Sequence, residues 1–199
     1  MSPRGVAIPD LREQLFRAAD HVLVRDGTSG LSGRAITREA GCATGLLYNH
    51  FGDLDEFLAH FVLDRLRLAA ERAAELPARA GEGTLTDNLT EAALSIPGSS
   101  GLAMIALVQA QPSVAARLRQ SAAGGAQGLQ TIEDAFLAYL EAEKEIGRVA
   151  PHADTEALAL GLVGAIHHLW LTATGGALER KRVRRVLAAL VAGTTPTRS

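Results

Sequence analysis

This sequence predicts an all-helical fold, with a small N-terminal three-helix module ahead of a larger helical bundle. Three observations support that. Alanine, leucine, arginine and glutamate dominate; no stretch alternates apolar and polar residues with period two; and glycine, proline and capping residues divide the chain into segments whose apolar residues recur three and four apart. With 199 residues, 47% of them hydrophobic and 21% charged, the chain is long enough to bury a substantial core.

The first helix starts near Pro9-Asp10 and carries Leu11, Leu15, Ala18, Ala19, Val22 and Leu23 on one stripe, with Asp26-Gly27 as its stop. Ser32 is placed to cap a short second helix that runs to Ala40 and ends at Gly41. After the Gly41-Cys42-Ala43 turn a third helix spans about 44–51. Asp53 and Glu56 open a fourth with a variant capping box, and its stripe of Leu54, Leu58, Phe61, Val62, Ala69, Ala73 and Leu76 continues to Pro77. The module is bounded at residues 1–54 and the bundle at 55–199.

In the bundle, helices are expected near 85–96, 99–110, 112–122 (interrupted at Gly124-Gly125), 127–146, 154–173 and 179–192. Residues 157–171 are apolar nearly all round, and Val183, Val186, Leu187, Leu190 and Val191 form a clean stripe. A helix apolar on every side must be covered on every side. A second copy of the chain is the expected cover, which makes the protein a homodimer through Leu158, Leu162, Ile166, Val183, Leu187 and Leu190.

The formal charge of −2 gives no global attraction to nucleic acid, and the first sixty residues carry six arginines against eight acids. A single cysteine excludes an internal disulfide framework, and MSPRGVAIPDLREQ lacks the apolar run of a secretory leader. The longest apolar stretch, ALALGLVGAIHHLWLTA, is interrupted by histidines and glycines, so a buried helix is expected rather than a membrane span. The expected location is the cytoplasm.

The stretch AITREAGCATGLLYNHF, residues 35–51, is helix, glycine-containing turn, helix, the helix-turn-helix arrangement whose second helix enters the DNA major groove. Ala35, Ile36 and Ala40 point inward from the first short helix, and Leu47 and Phe51 from the second. That leaves Thr44, Gly45, Tyr48, Asn49 and His50 outward, offering hydroxyl, amide, imidazole and aromatic groups to phosphates and base edges.

Over roughly residues 10–62 this pattern resembles the tetracycline-repressor-like (TetR) family of transcriptional regulators: Ile36, Ala40-Gly41, Gly45, Leu47-Tyr48, His50-Phe51 and an acidic helix start, in that order and spacing. The resemblance implies that Ser32 caps its helix and touches phosphate, and that Arg34 reaches a guanine edge. It also implies that Thr44 and Gly45 lie against bases while Tyr48 and His50 hold phosphates; Asn49, from the outward face, and Leu46 are expected in the DNA-facing set beside them. There are departures. Ala43 stands where a capping serine is common, so Thr44 is expected to take over the cap; Leu46 and Leu54 replace a frequent hydroxyl residue and the usual lysine. Binding is then expected to be weaker, or to rely more on an arm bearing Arg4 and Arg12.

An all-helical enzyme or carrier is the competing class, but paired carboxylates, metal spacing, a phosphate loop or a triad are not found. Cys42 with His50 as its base lacks an orienting third group. His167 and His168 are adjacent on a helix and cannot chelate one ion from one face. ERKRVRR, 179–185, reads as the solvated side of an amphipathic helix. The expectation is therefore a repressor of operator DNA that takes no cofactor or metal. A small, largely apolar effector would release it by binding among Phe61, Met104, Leu107, Phe136, Tyr139, His167 and Trp170, with one of His167 and His168 facing that pocket.

Overall fold

The computed structural model describes residues 10–96, 101–121, 125–173 and 178–194. Among the described residues there are ten α-helices and no strand: α1 (Leu11–Gly30), α2 (Gly33–Glu39), α3 (Thr44–Phe51), α4 (Leu54–Ala73), α5 (Leu85–Ser95), α6 (Gly101–Ala110), α7 (Pro112–Gln120), α8 (Gly125–Glu145), α9 (Thr155–Leu171) and α10 (Arg180–Val191). Pro9, Arg4 and Gly124 lie outside the described residues.

The punctuation acts where the sequence places it, with two adjustments. Gly27 leaves helical geometry at φ 70°, ψ −170°, but a further turn follows, so α1 extends past the expected stop to Gly30. The fourth helix ends at Ala73 rather than at Pro77, which opens a single 3-10 turn, Pro77–Arg79. Ser32, Asp53, Thr84 and Asp154 each accept a backbone N–H three residues on, so four helices carry side-chain N-caps, each of which contributes about 1 kcal/mol.

Two apolar cores meet along α4. One gathers Leu15, Phe16, Ala19, Val22 and Leu23 of α1, Ile36 of α2, and Leu47 and Phe51 of α3; Phe57, Leu58, Phe61 and Val62 of α4, Met104 and Leu107 of α6, and Val114 of α7 close it. This core therefore extends past residue 54 into α4, α6 and α7. The other core joins the far end of α4 to α5, α8, α9 and α10. α4 runs along α8, α8 along α9, and α10 lies against α5 and α9.

The second core also holds a polar cluster. The buried Asn88 side-chain nitrogen shares its two hydrogens among three acceptors, Tyr139 Oη at 3.0 Å and the carbonyls of Glu82 and Arg79 at 2.9 and 3.2 Å. Glu143, fully buried, accepts the Gly81 N–H at 3.3 Å and pairs with Arg148 Nε at 3.1 Å. Burial foremost pushes the Tyr139 phenol above its usual range.

The expected dimer surface needs correcting. Leu162, Val183 and Leu187 are each 0% exposed inside their own chain, where α9 and α10 bury them against α5 and α8. Leu158 and Ile166 are half-buried against the same core. What remains uncovered is another face of α9, with Leu160 at 59% and Leu171 at 39% exposure beside Gly161 and Gly164, and Leu190 on α10 at 37%.

The expected pocket is not assembled either. Phe61, Met104 and Leu107 belong to the first core, Phe136 and Tyr139 to the second, and buried Trp170 donates its indole N–H to the Ala93 carbonyl at 3.2 Å. His167 and His168 are both exposed, so neither faces an interior pocket. Tyr139's hydroxyl is engaged by Asn88 and is not open to a ligand. The basic run of α10 also has partners: Arg184 meets Asp87 at 2.9 Å and Arg180 meets Glu91, both on α5. Among the described residues no helix is long and apolar enough to cross a membrane.

Candidate nucleic-acid interface

α3 is eight residues long, too short to persist alone in water. Its inward side supplies the stability. Leu47 is fully buried and Phe51 nearly so. The Phe51 ring meets Phe57 edge-on at 4.9 Å, with Phe16 at 5.9 Å and His60 at 5.8 Å. Ile36 anchors α2 on the same core, and Gly41, at φ 68°, makes the turn between the two helices with Cys42 N–H bonded to the Thr37 carbonyl at 2.9 Å. A residue with a side chain would be strained at that φ.

With the apolar side committed, the other side faces out. Gly45, Tyr48, Asn49 and His50 are exposed, as are Ser32 and Arg34 of the α2 start; Thr44 and Leu46 are half-exposed. Ser32 Oγ accepts the Ala35 N–H at 3.2 Å and so caps α2. The Tyr48 hydroxyl leans over Gly33: a Cβ there would sit 2.5 Å from it. Tyr48 is thereby carried from α3 to the first turn of α2, beside Ser32 and Arg34. Arg38, also exposed on α2, adds a further cation to the surface.

Thr44 does not cap α3. The cap position is Ala43, whose methyl group cannot accept a hydrogen bond, and the Thr44 hydroxyl instead meets Thr37 Oγ1 at 3.1 Å. Thr37 and Gly33 are the residues that sequence reasoning missed; both are buried, and both touch a member of the outward set. The available signal was a hydroxyl residue directly after Ile36 on a helix whose neighbouring positions face the core.

The electrostatics around this face are mixed. Arg25 is bound to Asp26 at 2.9 Å and Glu39 at 2.8 Å, and its hydrogen bonds hold both carboxyls below their usual range. Arg12 belongs to α1, with its guanidinium 5.1 Å from the Phe16 ring centre, so it is not part of a separate arm. Leu54, half-buried, packs against the core at the start of α4. Asp53 caps that helix, accepting the Glu56 N–H at 2.7 Å, and meets Arg117 of α7 at 2.6 Å. Burial pushes the half-buried Cys42 thiol up, the wrong direction for a nucleophile.

The comparisons agree with this geometry. The sequence model for bacterial regulatory proteins of the tetR family matches residues 15–61, from the first core residue of α1 into α4. An uncharacterized HTH-type transcriptional regulator of Haemophilus influenzae is 40% identical over 52 residues, which span 26% of this chain and 28% of that protein. The HTH-type transcriptional regulator BetI of Stenotrophomonas maltophilia is 28% identical over 198 residues, covering 94% of this chain and 93% of its own. In three dimensions, a crystal structure of a TetR-family regulator from Mesorhizobium loti superposes with a TM-score of 0.69 at 16% identity, over 92% of this chain and 93% of the other, a likeness of fold. The module that seats α3 on the aromatic core, residues 15–61, thus matches the tetR family of bacterial regulatory proteins, and over nearly its whole length the chain is similar to an HTH-type transcriptional regulator.

Proposed function

We propose that the chain works as a homodimeric repressor, gripping operator DNA with α2 and α3 and releasing it when a small, largely apolar molecule binds the bundle. The observation that carries the DNA half is the division of α3: Leu47 and Phe51 committed to the core, and Thr44, Gly45, Leu46, Tyr48, Asn49 and His50 left on the outer side with Ser32 and Arg34 adjoining. In a helix-turn-helix, the first residues of the second helix meet base edges while flanking hydroxyls and cations hold phosphates.

The dimer half rests on the uncovered face of α9 and α10, where Leu160, Leu171 and Leu190 stand exposed beside the small residues Gly161 and Gly164. A two-fold pairing there would set two copies of α3 about 34–36 Å apart, one duplex turn. The effector half rests on α6. It sends Met104 and Leu107 into the core under α1 and touches α9 as well, so a ligand that displaces α6 also displaces α1. Such a ligand acts only through its differing affinity for the DNA-bound and released arrangements. Phe61, Met104 and Leu107 are the residues it would disturb first.

Selection of duplexes from a random-sequence library by the full-length protein tests the reading. The expected product is an inverted repeat whose half-sites lie one duplex turn apart, bound less tightly as salt rises. Leu160→Asp should bury an unpaired charge in the pairing face, and sedimentation should then find monomers that bind single half-sites weakly. Failure to enrich any sequence would overturn the DNA half; a wild type that is monomeric at micromolar concentration would overturn the dimer half.

A further inference from the structure

Thr44, the first residue of α3, and Thr37, one turn from the end of α2, form a relay whose protons can be assigned. Thr37 is 1% exposed, and its hydroxyl oxygen lies 2.7 Å from the Gly33 carbonyl, 3.4 Å from the Arg34 carbonyl and 3.1 Å from Thr44 Oγ1. Carbonyl oxygens only accept, and a threonine hydroxyl has one proton to give. The Thr37 proton therefore goes to the nearer carbonyl, that of Gly33. The lone pair left on Thr37 faces Thr44, and the 3.1 Å contact is a hydrogen bond only when Thr44 donates.

Thr44's single proton is thus committed inward. Toward solvent it presents lone pairs and a methyl group. Turning the hydroxyl out to donate would leave Thr37's buried lone pair unanswered and set two oxygens face to face, so the inward state is favoured. In the major groove the bases that can donate to such an acceptor are adenine, through its N6 amino group, and cytosine, through N4; guanine and thymine present oxygens at the corresponding edges.

We propose that Thr44 is a specificity-determining residue that accepts a hydrogen bond from the exocyclic amino group of an adenine or cytosine. Thr37 is the positioning residue that holds it in the accepting state. This rests on the reading of α3 as the recognition helix, and the test separates the two.

Duplex selection is run with the full-length wild type and with Thr44→Val, Thr37→Val and Thr37→Ser. The wild type should fix adenine or cytosine at one position of each half-site, preferring it over guanine or thymine by roughly threefold to tenfold, the worth of one neutral hydrogen bond. Thr44→Val should flatten the preference at that position and leave the others as they were. Thr37→Val should admit guanine or thymine there, because the freed Thr44 hydroxyl can now donate outward; Thr37→Ser, which keeps the relay, should restore the wild-type choice. Replacing the selected base by an analogue without its amino group should weaken the wild type by the same factor and leave Thr44→Val unaffected. Should Thr37→Val fail to fold, Thr44→Val and the base analogue still decide the question. If the wild type enriches no sequence, the recognition-helix reading falls. If it enriches one but Thr44→Val alters no position, or guanine or thymine is fixed opposite Thr44, the relay proposal alone falls.

Discussion

The two cores that share α4 are built from different materials. The one beneath α3 is aromatic: the Phe16 ring lies 5.9, 5.6 and 6.0 Å from those of Phe51, Phe57 and Phe61. The one between α5, α8, α9 and α10 is aliphatic and rich in alanine, and it encloses Asn88, Tyr139 and Glu143 in a hydrogen-bonded cluster. The first fixes a short helix by bulk and shape. The second ties the 77–83 loop to α8 by direction, since a buried amide and carboxylate accept only correctly placed partners. An eight-residue helix needs stiffness beneath it, whereas a bundle of long helices can rely on area and a few polar registers.

The largest expected effect comes from removing the ring that the aromatic core is built around. Phe16→Ala deletes contacts to three phenylalanines at a site 1% exposed and should cost about 3–5 kcal/mol in chemical denaturation. α3 should lose protection in hydrogen exchange before α8 and α9 do. Simultaneous loss across the chain would mean that the two cores act as one cooperative unit.

Next comes the matching cut in the other core. Asn88→Ala leaves Tyr139 Oη and two loop carbonyls short of a donor and should cost about 2–3 kcal/mol. Affinity for a selected operator, measured well below the melting temperature, should stay unchanged. A parallel fall in DNA binding would show that the loop and the DNA-facing surface are coupled, and the contrast drawn above would fail.

How far the sequence revealed each core follows from the same difference. α1 to α3 were legible because a stripe, a capping Ser32 and the glycines at 27 and 41 act locally, and the aromatic residues of 48–51 had to be placed by one short helix. Helices α5 to α10 were legible as helices for the same reason. Which surface covers them was not. A stripe such as Val183, Leu187 and Val191 says that one side is covered, and a partner's surface and the chain's own α5 satisfy that demand equally. Inward aromatics likewise do not distinguish a filled core from a cavity, so Phe136, Tyr139 and Trp170 looked like pocket walls when they are packed interior. Thr37 stayed hidden because a polar residue on a helix reads as exposed until its neighbours' carbonyls are known.

A change on the outer side of α3 tests whether stability and binding part company there. Tyr48, 42% exposed, has its hydroxyl over Gly33. Tyr48→Ala should lower operator affinity by about 1–3 kcal/mol in fluorescence anisotropy while shifting the melting temperature little. An equal loss in both measurements would make Tyr48 part of the core's support and remove it from the contact surface.

The smallest expected effect lies at the corner where α7 meets the end of the recognition module. Asp53 caps α4 by accepting the Glu56 N–H, and Arg117 approaches it at 2.6 Å from α7. The backbone hydrogen bond first, and the guanidinium after it, hold the Asp53 carboxyl below its usual range. A carboxyl lowered on folding contributes stability above its unfolded value, about 3.9, and that contribution is lost as pH falls through the lower folded value. Asp53→Asn keeps the cap, because an asparagine oxygen accepts the same N–H, but removes the charge that Arg117 meets. The gap in melting temperature between wild type and variant should be small and constant from pH 7 to about pH 5, and should close below about pH 4. Molar salt at pH 7 should narrow it too, since both side chains are partly exposed. A gap that persists undiminished in strong acid would mean that the cap geometry, and not the charge reaching across from α7, is what Asp53 contributes at this corner.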